Sequence, residues 1–266
     1  KLLLPLALLP LAHAETPYFV TYSHHLEEPG SLEISYRSVI GSPPFASSLL
    51  ELEYGLTGWW TTELYLSGAT AFTGWRWEHR IRPLLREHWI NPVLYVEFED
   101  INGADKSLLA VVGHDGAADQ AVPTSVARRE GKRELETKLI LSSYAKGWNV
   151  AENFIAEKNL TGGEWEFGYA LAVSRALASK ASPLPCSFCR ENLRAGVEMY
   201  GGLGTRHDFG LRDTSHYVAP ALAWRLPNGA MLGISPSFGL TGASHQFLLR
   251  FNLGIEIPQF ARLFRK

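Results

Sequence analysis

SLLELEYGLTGWWTTELYLSGATAFTGWRWEHRIR, residues 48 to 82, reads as three consecutive two-faced strands. Leu50, Leu52, Tyr54 and Leu56 alternate with Glu51, Glu53, Gly55 and Thr57. After a tight break at Gly58-Trp59, Thr62, Leu64 and Leu66 alternate with Thr61, Glu63, Tyr65 and Ser67. Beyond Gly68 to Gly74, Trp75, Trp77 and Ile81 alternate with Arg76, Glu78, Arg80 and Arg82. A period of two sends successive side chains to opposite faces of a strand. One face here is aliphatic and aromatic and the other is charged. In a soluble sandwich the apolar face meets a second sheet. In an outer-membrane barrel it meets lipid, and the charged face lines the interior.

The same alternation recurs on both sides of this stretch. Upstream, Ser31 to Gly41 forms a first strand that Pro43-Pro44 closes. Downstream, strands are expected over Pro92–Ile101, Arg133–Ser143, Trp148–Lys158, Trp165–Ser174, Leu193–Gly201, Val218–Trp224, Leu232–Leu240 and Phe247–Glu256. The seventh, Trp148–Lys158, is the least regular, because Glu152 interrupts the apolar row of Trp148, Val150 and Phe154. The reading is an all-β chain of about twelve strands, an even number of the size that bacterial barrels use. No stretch reaches the roughly 18 apolar residues of a membrane-spanning helix.

Connections alternate in length. Gly58, Tyr144–Gly147 and Pro227–Gly229 are tight turns at one end, whereas Asn102–Lys132 and Gly201–Ser215 are long loops at the other, the habit of outer-membrane barrels. Trp59, Trp60, Trp148 and Trp224 sit beside the tight turns, and Trp165 and Phe247 begin strands at the far rim. Those are girdle positions, where a ring is half in lipid and half in water. The reading is a transmembrane antiparallel up-and-down β-barrel with membrane lipid around it. Pro220 and Pro236 argue against it, because proline donates no ladder hydrogen bond and a barrel has no edge to hide it. They are expected to mark a bulge or a shared weak seam.

Residues 1–14 read as a secretory signal peptide: an apolar run from Leu2 to Leu11, then Ala12-His13-Ala14 as the cleavage site. Residues 15–30 are a polar N-terminal arm, 31–257 the barrel and 258–266 a basic tail. The expected location is the cell outer membrane of a Gram-negative bacterium. A net charge of −2 gives no basis for a nucleic-acid partner. Cys186 and Cys189 are the only cysteines, and in an exported chain their default is a local disulfide.

Glu53-Tyr54-Gly55-Leu56-Thr57 running into Trp60-Thr61-Thr62-Glu63-Leu64 resembles a group of outer-membrane transporters associated with the MetA pathway of phenol degradation. The resemblance covers about twenty residues and implies a barrel for the passage of small molecules. It brings no catalytic residues with it.

The charged face collects Glu33, Arg37, Glu51, Glu53, Glu63, Arg76, Glu78, Arg80, Arg82, Glu97, Glu99, Glu134, Glu136, Lys138, Arg194, Glu198, Arg250 and Glu256. Charges against a low-dielectric wall need partners, so cross-strand Glu–Arg pairs are expected. Such an interior is either a charged constriction that selects a small-molecule permeant or a network that fills the barrel. A hydrolase would instead carry Ser and His on a rim. Its candidates are Ser215-His216, His207-Asp208, His114-Asp115 and Ser244-His245. A closed barrel that anchors an exported partner is the third reading. His24-His25 with Glu27 and Glu28 offers metal-ligating groups, but on a segment that reads as a flexible arm. No cofactor is implied.

Overall fold

The computed structural model describes residues 16–42, 44–68, 72–106, 112–114, 116–117, 122–178, 189–226 and 228–264. The expected signal peptide, Cys186, Asp115 and the turn residues Pro43 and Pro227 lie outside them. Twelve strands form: β1 (Leu32–Ser42), β2 (Phe45–Thr57), β3 (Trp60–Ser67), β4 (Gly74–Ile81), β5 (Asn91–Asn102), β6 (Gly131–Ala145), β7 (Trp148–Asn159), β8 (Trp165–Ala176), β9 (Leu193–Thr205), β10 (His216–Arg225), β11 (Ala230–Gly239) and β12 (Phe247–Ile257). Each pairs antiparallel with its neighbours in sequence, and β1 pairs with β12 to close the barrel. Closure leaves no unpaired edge, the condition a sheet must meet to cross lipid.

The alternation decides which side chains point out. Tyr36, Trp77, Leu94, Phe154 and Leu253 are between 45% and 54% exposed, and together with Ile40, Leu139, Val150, Leu171 and Ile234 they cover the outside with apolar groups. A surface this apolar on a closed barrel is the lipid-facing band of a membrane protein. Trp60, Trp148, Trp165 and Phe247 are the first residues of β3, β7, β8 and β12, at the ends of that band.

Three local details differ from the sequence pattern. β7 is a complete strand of twelve residues, with Glu152 exposed on its outer face beside Leu141 and Leu171. Pairing with both neighbours, rather than its own periodicity, holds it. The β4–β5 connector, whose sequence is compatible with a short helical turn, contains none, whereas among the described residues the β5–β6 loop holds a short helix, α1 (Thr124–Ala127). Pro220 and Pro236 fall opposite each other. The β10–β11 register runs unchanged from Val218↔Phe238 to Leu222↔Ile234, but the ladder skips the residues between. Ser235 Oγ donates to the Pro220 carbonyl at 2.9 Å and satisfies part of the gap. This is a seam without a bulge.

Candidate functional site: the barrel interior

The inward positions of each strand are set by the same period of two. Glu33, Glu51, Glu63, Arg76, Glu78, Arg80, Glu97, Glu99, Glu134, Glu136, Arg194, Glu198 and Arg250 are buried, and Arg37, Glu53, Lys138 and Glu256 are partly buried. Arg82 follows the end of β4 and turns into the β4–β5 connector, where it donates to Glu87 Oε2 at 3.1 Å and to the Arg86 carbonyl.

Arginines serve several carboxylates each. Arg80 lies 2.6 Å from Glu53, 3.1 Å from Glu63 and 2.7 Å from Glu78. Arg76 reaches Glu99 at 2.7 Å and Asp105 of the β5–β6 loop at 3.2 Å. Arg37 pairs with Glu51, Lys138 with Glu136 at 2.8 Å, and Arg225 with Glu256.

The register itself places glutamate opposite glutamate. Glu256 faces Glu33, Glu33 faces Glu53, and Glu53 faces Glu63. The row continues through Glu78, Glu97, Glu136 and Glu157 to Glu166. It joins nine strands, from β12 through β1 to β8. The row above it contains Arg76, and the row below it Arg80 and Lys138. Arg76 stands directly opposite Glu99, but the other Glu–Arg and Glu–Lys contacts run diagonally, along a strand or across two strands, while along this row the directly opposed residues carry like charges. The sequence placed all of the row's residues but Glu157 and Glu166 on the charged face, and it could not show the row, because the relative register of the strands is not written in any one of them.

The segment expected as a flexible arm is packed inside the barrel. Phe19, Val20 and Thr21 all donate their backbone N–H groups to the Glu198 carboxylate, at 2.7, 2.9 and 2.8 Å. Tyr22 exchanges backbone hydrogen bonds with the Asn153 amide, at 2.7 and 2.9 Å. Its ring lies under Arg80 and Lys138, and its hydroxyl is 3.1 Å from Glu78. Tyr18 donates to Asn149 Oδ1 at 2.9 Å. The arm leaves against β2, where Gly30 N–H donates to the Gly55 carbonyl at 2.7 Å. A Cβ at Gly55 would run into the Glu28 carbonyl, so the glycine of the Glu53–Thr57 motif is what lets the arm pass. The wall offers a polar, charged lining, and an arm with free N–H groups and tyrosine hydroxyls satisfies it. A polar stretch without periodicity carries no sign of this until its partners are in place.

His24 is fully buried within this plug. Its Nδ1 is 2.8 Å from Ser142 Oγ and its Nε2 is 2.9 Å from Glu87 Oε1. The order Ser–His–Glu matches a hydrolase triad, but Ser142 is 2% exposed and the imidazole sits on the arm itself. The contact fastens the arm to β6 and to the β4–β5 connector. The rim histidines behave similarly. His216 is bonded through Nε2 to Thr214 Oγ1 and through Nδ1 to Tyr169, and His245 Nδ1 meets the Ser42 carbonyl. Ser244 Oγ bonds the His216 backbone rather than its ring. His114 pairs with Asp208 at 3.4 Å, and His207 approaches Glu164.

A cavity of about 530 Å³ remains between the arm and the wall, bounded by Phe19 and Tyr22 on one side and by Glu33, Glu53 and Glu63 on the other. At its edge, oxygen atoms of Glu51, Glu53 and Glu63 lie within 4.8 Å of one another, the one grouping among the described residues that could hold a metal ion. At the far mouth the β5–β6 loop folds over the barrel. Gly113 N–H donates to the Phe167 carbonyl, Gly204 N–H donates to the Gly113 carbonyl, and Ala117 N–H donates to Ala243. There, burial holds the Lys106 ammonium and the His245 imidazole below their ordinary pKa values, and Lys106 lowers His245 further. Cys189 is disulfide-bonded.

No family model and no curated protein sequence matches this chain. Solved structures do. The KdgM porin superposes with a TM-score of 0.54 at 8% identity, over 84% of this chain and 97% of the porin. The COG4313 outer membrane channel from Pseudomonas putida F1 gives 0.52 at 12% identity, over 88% and 97%. The NanC porin gives 0.51 at 9%, over 85% and 100%. At such identities the likeness is one of fold. The chain is a closed twelve-stranded barrel of the outer-membrane type.

Proposed function

We propose that this barrel is a narrow outer-membrane channel for small molecules, held closed by its own N-terminal arm. The observation that carries the reading is the way the interior is occupied. The wall's lining is largely polar and charged, broken by small apolar clusters that Tyr18, Val20, Tyr22 and Leu26 of the arm touch, and the arm is held in it by hydrogen bonds to Glu198, Asn153 and Asn149 as well as by those small contacts. Hydrogen bonds of that kind exchange with water at small net cost, whereas a dry apolar core does not. A cavity already lies beside the arm. By the barrel habit the tight turns and both termini face the periplasm and the long loops face outward. The likeness to porins and channels supports the same reading, as does the Glu53–Leu64 resemblance to transporters.

Glu198 is the point to test, because one carboxylate holds three consecutive backbone N–H groups of the arm. In planar bilayers the wild-type chain is expected to show brief, rare openings. Glu198→Ala removes the acceptor and is expected to raise the open time at least about tenfold, the effect of about 1.4 kcal/mol on the closed state. Silence from both proteins, with barrels shown to be folded by heat-modifiable gel mobility, would rule out the channel.

A further inference from the structure

Eight successive glutamate–glutamate contacts are an expensive way to build an inert wall. Like charges directly opposite one another on a sheet destabilise it. Arg80 and Lys138 stand only one row, two residues, away, so a two-residue shift of register would have set opposite signs face to face.

The row also has a direction. Glu33 is the second residue of β1 and Glu256 the last but one of β12, at the mouth that holds the termini. Glu166 is the second residue of β8, which starts at the opposite mouth. In a barrel the strands tilt, so a row of constant register climbs the wall instead of circling it. The carboxylates form a spiral from one mouth to the other. Its lower end borders the cavity beside the arm, and its upper end lies beside Gly113 of the β5–β6 loop.

Two further observations point to a ligand. Glu97, midway along the spiral, is 2% exposed, and its Oε2 has no hydrogen-bond partner among the described residues. Glu63 Oε1 is in the same state. Arg80 and Lys138 of the wall offset part of the row's charge, and the plug adds no cationic Lys or Arg to it. Residues 16–30 contain no Lys or Arg, and they add Glu27 and Glu28.

We propose that this spiral binds small hard cations and passes them along the wall around the plug, which makes divalent and monovalent metal cations the permeant class of the channel. Carboxylate oxygens are the ligands such ions take, and carboxylate-lined constrictions select cations. Glu51, Glu53 and Glu63, with three oxygens within reach of one ion, form the first station at the cavity, where the ion shares their carboxylates with Arg37 and Arg80. Transfer along the spiral rests on the channel reading; binding to it does not.

The two parts separate in one set of experiments on the full folded chain. Terbium(III) is the probe, because Tyr65, bonded to Glu78 at 2.6 Å, is placed to sensitise its emission. Wild type is expected to give saturable emission that calcium displaces. Glu63→Gln and Glu97→Gln are expected to weaken it about tenfold or more, and Glu152→Gln, on the outer face, to leave it unchanged. Heat-modifiable mobility checks that each variant folds. In a bilayer with a potassium chloride gradient, the reversal potential is expected to report cation selectivity that falls toward zero in the Glu53→Gln/Glu97→Gln double variant. Equal terbium affinity in wild type and both ladder variants overturns the proposal, and so does anion selectivity. Terbium binding that the ladder variants lose, in a barrel that passes no current, sustains the cation sites and overturns the channel reading instead.

Discussion

At the scale of single residues, the outside and the inside of the wall obey opposite rules. Leu139 is 41% exposed and stands between Leu94 and Phe154 on the neighbouring strands. Its direct partners are apolar, and the nearest outer-face carboxylate, Glu152, stands one pair along the ladder, opposite Leu141. Leu139→Arg is expected to cost about 2 to 4 kcal/mol, the usual cost of an arginine at lipid mid-depth. Urea titration of barrels folded into liposomes would measure it, and a loss under about 0.5 kcal/mol would mean that this face does not meet lipid. One position away the rule inverts. Lys138 carries its charge at 4.1 Å from the Tyr95 ring and 2.8 Å from Glu136, and is stabilised by both. The two faces were legible in the sequence from the alternation alone. The contacts made by each interior charge were not, because Arg80 reaches Glu53 two strands away through its length rather than through its register.

Among elements, the β10–β11 hairpin is the weakest joint in the wall. Its two strands are tied to β9 and β12 by continuous ladders, so the gap opposite Pro220 and Pro236 is bridged from both sides. Replacing both prolines with valine restores two N–H donors at opposed positions. Each new bond is expected to add about 1 kcal/mol, and the barrel should resist unfolding at higher temperature in a heat-modifiability series. An unchanged or lowered midpoint would show that the gap is imposed by the strands' twist and not by the missing donors. The sequence made the seam visible, since proline in a strand always removes a donor. It left bulge or seam undecided, because that depends on whether the pairing beyond the prolines keeps step. Val218↔Phe238 and Leu222↔Ile234 show that it does. β7 teaches the converse lesson. Glu152 spoiled its pattern, yet twelve residues pair with both neighbours, because a closed sheet supplies hydrogen bonds whatever one side chain prefers.

For the whole molecule, the barrel and its plug are two systems with different origins. Strand number, closure and lipid face follow from period-two patterns that any one strand announces. The plug follows from contacts between residues more than a hundred positions apart, such as Tyr22 with Asn153 and Phe19 with Glu198, and no local pattern encodes them. The barrel's closure does not depend on the arm: every ladder from β1 to β12 is made by strand residues, and the arm's backbone meets side chains of the wall at Glu198 and Asn153 and its backbone where Pro29 and Gly30 meet Gly55. A chain lacking residues 16–28 should therefore still fold, insert and run as a heat-modifiable band. Its interior would exchange the arm for water, which hydrates Glu198, Asn153 and the Tyr22 partners at little net cost. Conductance should then become steady instead of intermittent, with the wild-type arm peptide, added from the periplasmic side, restoring the closed state. A deletion that folds but stays silent would count against the channel reading, leaving a barrel that the β5–β6 loop also covers, its Asp105 reaching down to Arg76 from the other mouth. A deletion that fails to fold would make the arm part of the barrel's core, and the polar lining would then be a structural interior that needs the arm to complete it.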